Sequence, residues 1–196
     1  MTLNAKQKKA LKTKKRILET ALELFSQKGY NQVTVDEIVE KSKTSKGAFY
    51  GHFASKSEIF LEKFKEIDNF YDEFCKTLPN DLSAKEKIIR LSITQMKYLK
   101  NDLGKELMQT IYMNPQSAKF LADTNRRLYH ILENYLQEGQ EKGEFTEDFS
   151  IQELAMIISR CMRGTLYDWF IFEKELDPVI EIEKMLQAVF QGIEKY

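Results

Sequence analysis

The apolar residues of this chain recur with the period of an α-helix over long stretches that contain neither proline nor glycine. Only three prolines and eight glycines occur among its 196 residues, so few positions interrupt a helix. In the stretch from about Lys8 to Lys28, four apolar residues share one helical face: Ile17, Ala21, Leu24 and Phe25. The spacing follows a period of about 3.6 rather than about 2. The pattern predicts an all-α protein.

Capping signals divide the sequence into nine predicted helices. Four start where Ser or Thr is followed by Glu three positions later, at Thr34, Ser55, Ser83 and Ser150. Asn114-Pro115 and Asp177-Pro178 mark two further starts, because proline is favoured at the first helical position. The predicted ranges are about 8–28, 34–41, 45–52, 55–78, 83–100, a short segment ending at 113, 115–142, 150–174 and 178–194.

Length and composition place the chain among globular proteins that need no disulfide or structural metal. The 42% apolar and 31% charged residues exclude collagen-like, low-complexity and wholly disordered chains. Its two cysteines, Cys75 and Cys161, are isolated, which suits a reducing compartment. The sequence has no signal-peptide pattern and no run of about 18 apolar residues. We therefore expect a cytoplasmic protein.

The formal net charge is +0, but the charges are unevenly distributed along the chain. Residues 1–65 contain fourteen basic and seven acidic residues, a net charge of +7, and residues 66–196 carry −7. Such an asymmetry indicates a polyanion as the partner of the basic part. A solvated, lysine-rich first helix would give the same pattern, so charge alone does not decide between the two.

The stretch from Val35 to Phe53 has the dimensions of a helix-turn-helix, with two short helices joined by a tight turn. In its second helix, Phe49 and Phe53 lie four positions apart and are expected to bury against the first helix of the chain. A helix N-terminus with free N–H groups beside a hydroxyl and a lysine suits phosphate oxygens and base edges. The residues expected toward solvent or DNA are Ser45, Lys46, Ala48 and Tyr50.

A series of short motifs between Ile17 and Phe60 resembles the DNA-binding domain of the TetR family of bacterial transcription repressors. In order, the motifs are Gly29-Tyr30, Thr34-Val35, Ile38-Val39, Ser45-Lys46-Gly47, Phe49-Tyr50, His52-Phe53 and Ser55-Lys56. They cover about a quarter of the chain. The predicted number of helices is also similar to the family's plan.

The resemblance implies roles for eight residues of the helix-turn-helix region. Those implied to contact phosphates are Thr34, Tyr50, His52 and Lys56. Those implied to face bases are Ser45, Lys46, Gly47 and Ala48. The resemblance further implies that two protomers bind a near-palindromic operator in double-stranded DNA.

This chain departs from the family pattern at the turn and in the second helix of the motif. Ser42-Lys43-Thr44 stands where the family usually has Ala-Gly-Val, so a turn position that suits glycine holds lysine. The expected conformational cost is about 1 kcal/mol. Gly51 replaces a bulky or polar residue that helps to contact DNA, and we expect that contact to be absent.

A cluster of basic residues from Lys6 to Arg16 precedes the motif. Such a cluster is usually a solvated helix face. Next to a DNA-binding motif it can also contact flanking phosphates or enter a minor groove. The sequence leaves both interpretations open.

The acidic remainder is rich in Met and aromatic residues, which form adaptable apolar walls in helical bundles. Core packing explains most of them, and the resemblance implies an effector pocket in this part of the chain. The predicted pocket residues are Phe74, Met96, Met108, Tyr112, Phe120, Tyr129, Met162 and Tyr167. We expect the helices 115–142 and 150–174 to line such a pocket.

The last two predicted helices are apolar over more than one stripe, so each must bury two sides. One side is expected to face the protomer's own bundle and the other a second copy, in a four-helix dimer interface similar to that of the family. The residues predicted at this interface are Ile158, Leu166, Trp169, Met185, Val189 and Phe190.

The expected organisation is a three-helix helix-turn-helix DNA-binding domain at 1–54 and a helical effector-binding and dimerisation domain at 55–196. The helix at 55–78 would connect the two. The resulting hypothesis is a sequence-specific transcriptional regulator, a repressor that a small-molecule effector releases from its operator.

Two other classes compete with this hypothesis. An enzyme is disfavoured because the chain has only two histidines, His52 and His130, and lacks HExxH, P-loop, GxGxxG and GxSxG motifs. We expect no catalytic residue, metal or cofactor. A protein-binding helical adaptor with a TetR-like head is the alternative, and it would show no sequence preference over bulk DNA.

Overall fold

The computed structural model describes residues 4–115, 117–121, 123–172 and 176–195. Its helices are α1 (Ala5–Lys28), α2 (Val35–Lys41), α3 (Lys46–His52), α4 (Glu58–Cys75), α5 (Ala84–Tyr98), α6 (Lys105–Tyr112), α7 (Ala118–Leu121), α8 (Arg127–Glu141), α9 (Ile151–Ile171) and α10 (Pro178–Ile193). Within these described ranges, nine helices have seven residues or more and α7 is a single turn. The predicted all-α, nine-helix fold is confirmed.

The chain divides into two compact units that differ from the predicted domains. The first unit comprises residues 1–66 and 106–122, and the second comprises 67–105 and 123–196. Helix α4 contributes to both units. The domain boundary after residue 54 stays a prediction.

The core of the first unit forms where α1, α2 and α3 pack on one another. The apolar stripe predicted for α1 is buried, and so are Phe49 and Phe53. Phe25 lies beside Phe60 at the start of α4, with 5.5 Å between ring centroids. These contacts fix α3 by its apolar face and leave its other face exposed.

The second unit is built around α5, α8, α9 and α10, which pack pairwise. Gly139 in α8 allows the Phe145 ring to approach the helix backbone so closely that a Cβ there would clash with it. Phe145 also stacks on Phe190, with 5.4 Å between centroids. The predicted capping boxes at Ser83 and Ser150 are present.

Helix α4 begins at Glu58, three residues later than predicted. The Glu58 Oε2 accepts a hydrogen bond from the Ala54 N–H at 2.6 Å, and the Ser55 hydroxyl pairs with that of Ser57 at 2.9 Å. Because α4 begins at Glu58, Ser55 lies two residues before the N-cap position and does not cap the helix. The predicted start of the connecting helix is corrected accordingly.

The single helix predicted from Asn114 to about Lys142 is wrong, since α7 and α8 are separate. Asp123 accepts hydrogen bonds from the backbone and side chain of Asn125, at 2.9 and 3.1 Å. Short polar side chains of this kind compete with helical backbone bonds and favour turns. The caps therefore predicted a helix start but not this internal break.

Candidate nucleic-acid interface

Helices α2 and α3 form a helix-turn-helix whose two helix starts are capped by hydroxyl groups. The Thr34 Oγ1 accepts from the Glu37 N–H at 3.2 Å, and the Ser45 Oγ accepts from the Ala48 N–H at 3.1 Å. Such caps stabilise short helices by satisfying N–H groups that have no partner in the helix. Both hydroxyl groups belong to residues that were predicted to contact DNA.

The turn between α2 and α3 places Lys43 in the left-handed region, with φ of 50°. This confirms the prediction that a position suited to glycine holds lysine here. The Thr44 N–H donates to the Val39 carbonyl at 2.8 Å, and the hydroxyl groups of Ser42 and Thr44 lie 2.8 Å apart. These bonds hold the turn in spite of the lysine's conformational cost.

Helix α3 has a buried and an exposed face. Phe49 is fully buried, whereas Tyr50 is 55% exposed. Gly47 and Gly51 are exposed too, and a Cβ at Gly51 would meet no atom within 4 Å. The exposed face therefore combines one large aromatic residue with backbone that a DNA surface can approach closely.

Lys46 on this face is held by an acidic residue of α2 that the sequence analysis did not identify. Its Nζ lies 2.7 Å from the Asp36 Oδ1, and both side chains are more than half exposed. The hydrogen bond and charge of Asp36 raise the pKa of Lys46 above its usual value. A pair this exposed is weak, so Lys46 remains free to exchange Asp36 for DNA.

His52, at the end of α3, is partly buried beside α1. It lines a shallow, mostly apolar groove of about 290 Å³ with Gln7, Ala10, Leu11 and Lys14. The N-terminal part of α1 therefore lies next to the C-terminal end of α3.

Lys56 is positioned differently from the prediction. Its Nζ donates to the carbonyl oxygens of Tyr30 and Val33, both at 2.7 Å, and lies 4.1 Å from the Tyr30 ring centroid. Burial lowers the pKa of Lys56 below its usual value. The expectation that this ammonium contacts phosphate is corrected: it ties the start of α4 to the connection between α1 and α2.

The predicted effector-pocket residues are divided between the two units of the structure. Met108, Tyr112 and Phe120 belong to the first unit, and the others belong to the second. Tyr167 is 50% exposed, so it does not line an interior cavity of a single chain. The exposed position of Tyr167 corrects its assignment to an interior pocket, and the pocket itself stays a prediction.

A polar cluster between α8 and α9 was not predicted from the sequence. The Arg163 Nη1 donates to the Tyr129 hydroxyl at 2.7 Å and to the Ser159 Oγ at 2.8 Å. Across the described ranges, no carboxylate forms an ion pair with this partly buried guanidinium. Its cationic side chain was not distinguishable in sequence from the surface arginines nearby.

The predicted dimer-interface residues are mostly part of the protomer's own core. Ile158 and Phe190 are fully buried and Leu166 is 1% exposed, so none of them is accessible to a second copy. The assignment of these three to an interface is corrected. The exposed large apolar residues on or next to α9 and α10 are Tyr167, Ile171, Phe172, Ile180 and Met185.

Two features are absent from the described part of the chain. None of the helices there combines the length and apolarity needed to cross a lipid bilayer. No three His, Cys, Asp or Glu side chains there are grouped in a way that would hold a metal ion.

Comparisons with known proteins agree with this geometry. The model of the family described as bacterial regulatory proteins, tetR family, matches residues 17–62. The chain is 23% identical over 181 residues to the fatty acid metabolism regulator protein of Bacillus subtilis (strain 168), covering 90% of this chain and 93% of that protein. It is also 23% identical over 197 residues to the HTH-type transcriptional repressor BepR of Brucella suis biovar 1 (strain 1330), covering 94% and 93%.

Solved structures support the same fold. The crystal structure of the transcriptional regulator FadR from Bacillus subtilis in complex with stearoyl-CoA superimposes with a TM-score of 0.72. The two chains are 23% identical, and the match covers 91% of this chain and 98% of that one.

Proposed function

Because this chain belongs to the TetR family of bacterial regulatory proteins, and is a DNA-binding transcriptional regulator rather than an enzyme, we propose that it represses transcription by occupying a near-palindromic operator as a homodimer. The observation that carries the proposal is the exposed face of α3, which is anchored by Phe49 and presents Tyr50 and Lys46. Such a protein acts where the chromosome is, in the bacterial cytoplasm.

The proposed contacts follow the two classes of protein–DNA contact. Tyr50, Thr34 and His52 contact phosphates and set the position of the head, whereas the first turn of α3 faces base edges in the major groove. Lys46 exchanges Asp36 for a base or phosphate acceptor. Lys56 supports the interface from behind instead of contacting DNA.

Specificity depends on Lys46 in this proposal. Lys46→Ala removes the charged donor that faces bases, so we expect weaker binding together with tolerance of one changed operator position. Asp36→Ala is the matched change, because it frees Lys46 and leaves its donor in place. A Lys46→Ala variant that keeps the full sequence preference of the original chain would contradict the assignment.

Two protomers would place their α3 helices about one DNA turn apart, roughly 34 Å. The dimer surface is proposed on the exposed faces of α9 and α10, where Tyr167, Ile180 and Met185 lie. Analytical ultracentrifugation that found only monomer at micromolar concentration would contradict this part of the proposal.

The proposed effector is a small molecule that binds the second unit and lowers operator affinity. Shifting a two-state population from 99:1 to 1:99 requires about 5.5 kcal/mol of differential affinity. The proposed domain division, 1–54 and 55–196, assigns DNA contacts to the first part and this binding to the second.

Arg163 favours an effector with an anionic group. Its guanidinium and the Tyr129 and Ser159 hydroxyl groups offer more donors than acceptors, and a carboxylate or phosphate would satisfy the excess. Stearoyl-CoA, the ligand named for the Bacillus subtilis FadR structure, is a suitable probe.

The effector proposal can be tested with purified protein and operator DNA. We expect stearoyl-CoA to release the operator from the original chain, and Arg163→Met to require at least tenfold more of it. Arg160→Met, on the exposed side of the same helix, is the matched control. Equal responses of the two variants would exclude Arg163 as the anchor.

A further inference from the structure

Helix α1 begins well before the part of the chain that the family model matches. The match starts at Ile17, whereas α1 starts at Ala5. A reciprocal capping box defines this start, with the Gln7 N–H donating to the Asn4 Oδ1 at 2.8 Å and the Asn4 N–H donating to the Gln7 Oε1 at 2.9 Å. These first turns of α1 are therefore structured and lie outside the matched part of the chain.

These turns, Ala5–Lys12, form the N-terminal α1 segment, and every residue in it is exposed. The first buried residue of the helix is Ile17. A segment that buries no side chain contributes little to the core, so packing does not account for its sequence.

The segment carries four lysines that no carboxylate in the described part of the chain neutralises. Among the described residues, none of these lysines forms an ion pair, in contrast to Lys14 and Lys15 further along the helix. The first acidic residue of the chain is Glu19. Positive charge near a helix N-terminus opposes the helix dipole and is unfavourable for the isolated helix. The four are Lys6, Lys8, Lys9 and Lys12.

The N-terminal α1 segment lies beside the end of the recognition helix α3. Ala10 and Leu11 line the same groove as His52. The next turn of α1 is held there by Lys14, whose Nζ lies 5.9 Å from the Phe53 ring centroid. The four lysines are therefore carried next to the DNA-facing element of the same unit.

The composition of the segment favours nucleic acid over a lipid surface. Its only apolar residues are Ala5, Ala10 and Leu11. A helix that lies in a membrane interface needs a broad apolar face with large side chains. Lysines without such a face suit the phosphates of DNA.

We propose that the N-terminal α1 segment binds phosphates of the DNA that flanks the operator half-site contacted by α3. The contact is independent of sequence and adds affinity and salt dependence to the specific binding by α3. This inference rests on the proposed function, since it extends the footprint of the same head.

The test compares two duplexes that carry the same operator, obtained by selection from genomic fragments. One duplex ends at the half-sites and the other continues for about one helical turn on each side. The variant Lys6→Gln/Lys8→Gln/Lys9→Gln/Lys12→Gln removes the charges and keeps the Asn4–Gln7 cap. The matched control changes four exposed lysines of the second unit to Gln: Lys76, Lys97, Lys184 and Lys195.

We expect the variant to lose affinity for the long duplex only. Loss of two phosphate contacts reduces the steepness of log affinity against log salt by about 1.8. If the variant and the original chain bind equally at 1 M salt, the variant then binds roughly thirtyfold more weakly at 0.15 M salt. The control should keep the original slope. Circular dichroism checks that both variants retain their helices.

Parallel salt dependences of the original chain and the variant on the long duplex would overturn the inference. An equal loss on both duplexes would also overturn it, because the lysines would then lie within the operator footprint. If the original chain preferred no DNA sequence, the proposed function itself would fail, and this result is distinguishable from the other two.

Discussion

The cations of the N-terminal α1 segment and the cations between the helices of the second unit are used differently. In the N-terminal α1 segment, Ala5–Lys12, the lysines are exposed and form no ion pair among the described residues. In the second unit, Lys87 of α5 pairs with Glu138 of α8, and Arg126, the residue before α8, pairs with Asp68 of α4, both at 2.7 Å. In a chain of zero net charge, a cation held in a partly buried pair is already neutralised, whereas an unpaired cation, or one in an exposed pair such as Lys46–Asp36, can still attract a polyanion.

Aromatic residues of the two units also differ, in this case in how far they are exposed. Tyr50 is exposed on α3, where it stabilises little, whereas Phe145 is fully buried against Gly139. Substitutions on the exposed face of the first unit should therefore change DNA binding and leave stability unchanged. Substitutions at packed or paired positions of the second unit should do the reverse.

The largest expected effect is on the packing of the second unit. Gly139→Val places a side chain into the Phe145 ring, and we expect the free energy of unfolding to fall by about 3 kcal/mol or more. Urea unfolding measures it. Gly164→Ala is the control, because a Cβ there meets nothing within 4 Å and alanine favours the helix by about 1 kcal/mol.

On the exposed face of the first unit, Tyr50→Ala should weaken operator binding about 10- to 100-fold, since a phosphate contact is lost. Its free energy of unfolding should change by less than about 0.5 kcal/mol. Fluorescence anisotropy and urea unfolding give the two quantities. Phe149→Ala removes an exposed aromatic residue from the second unit and should leave affinity unchanged. A Tyr50 variant that unfolds more easily but binds normally would reverse the assigned roles.

Charge pairing in the second unit predicts a dependence of stability on pH. Hydrogen bonds from Lys142 and Lys87 lower the pKa of Glu138 below its usual value. A carboxyl group with a lowered folded pKa stabilises the protein above its unfolded pKa, and this contribution disappears as the pH falls through the folded pKa.

Glu138→Gln should therefore reduce the free energy of unfolding by about 1 to 2 kcal/mol at pH 7, and the difference from the original chain should shrink below pH 4. Glu183→Gln, at an exposed glutamate of α10, is the control. A Glu138→Gln deficit that stayed constant from pH 7 to pH 3 would show that the carboxylate's charge is not responsible.

The smallest expected effect concerns Lys43 in the turn of the first unit. This exposed lysine lowers the stability of the protein, because its backbone is in the left-handed region. Lys43→Gly removes a side chain from a left-handed position, so the free energy of unfolding should rise by about 1 kcal/mol. Affinity for the operator should change little, because the turn keeps its geometry. Destabilisation by glycine would mean that Lys43 makes a contact that outweighs its backbone cost.

The helix-turn-helix was predictable from sequence because its signals are local. Caps and apolar spacing each depend on a few neighbouring residues, and the glycine-like turn position of Lys43 followed from the family resemblance. The second unit was less predictable. The apolar stripes of α9 and α10 gave no sign of which side packs inward, so Ile158 and Phe190 were assigned to an interface although they are buried in the protomer.

Two further differences arise from contacts between residues far apart in sequence. Lys56 was expected at phosphates, but its ammonium reaches carbonyl oxygens more than twenty residues earlier. The polar cluster of Tyr129 and Arg163 joins two helices, and neither residue stands out from its own surroundings. The spacing of residues in the sequence predicts the buried face of one helix at a time. It does not show which residues of two different helices contact each other.

The central claim is that the exposed face of α3 recognises a specific DNA sequence. Its most direct test is the affinity of the full chain for an operator selected from genomic fragments, against a scrambled duplex of equal length at the same salt concentration. We predict that the operator is bound at least about 1,000-fold more tightly. Equal affinity for the two duplexes would contradict the claim and is the result expected of a helical adaptor.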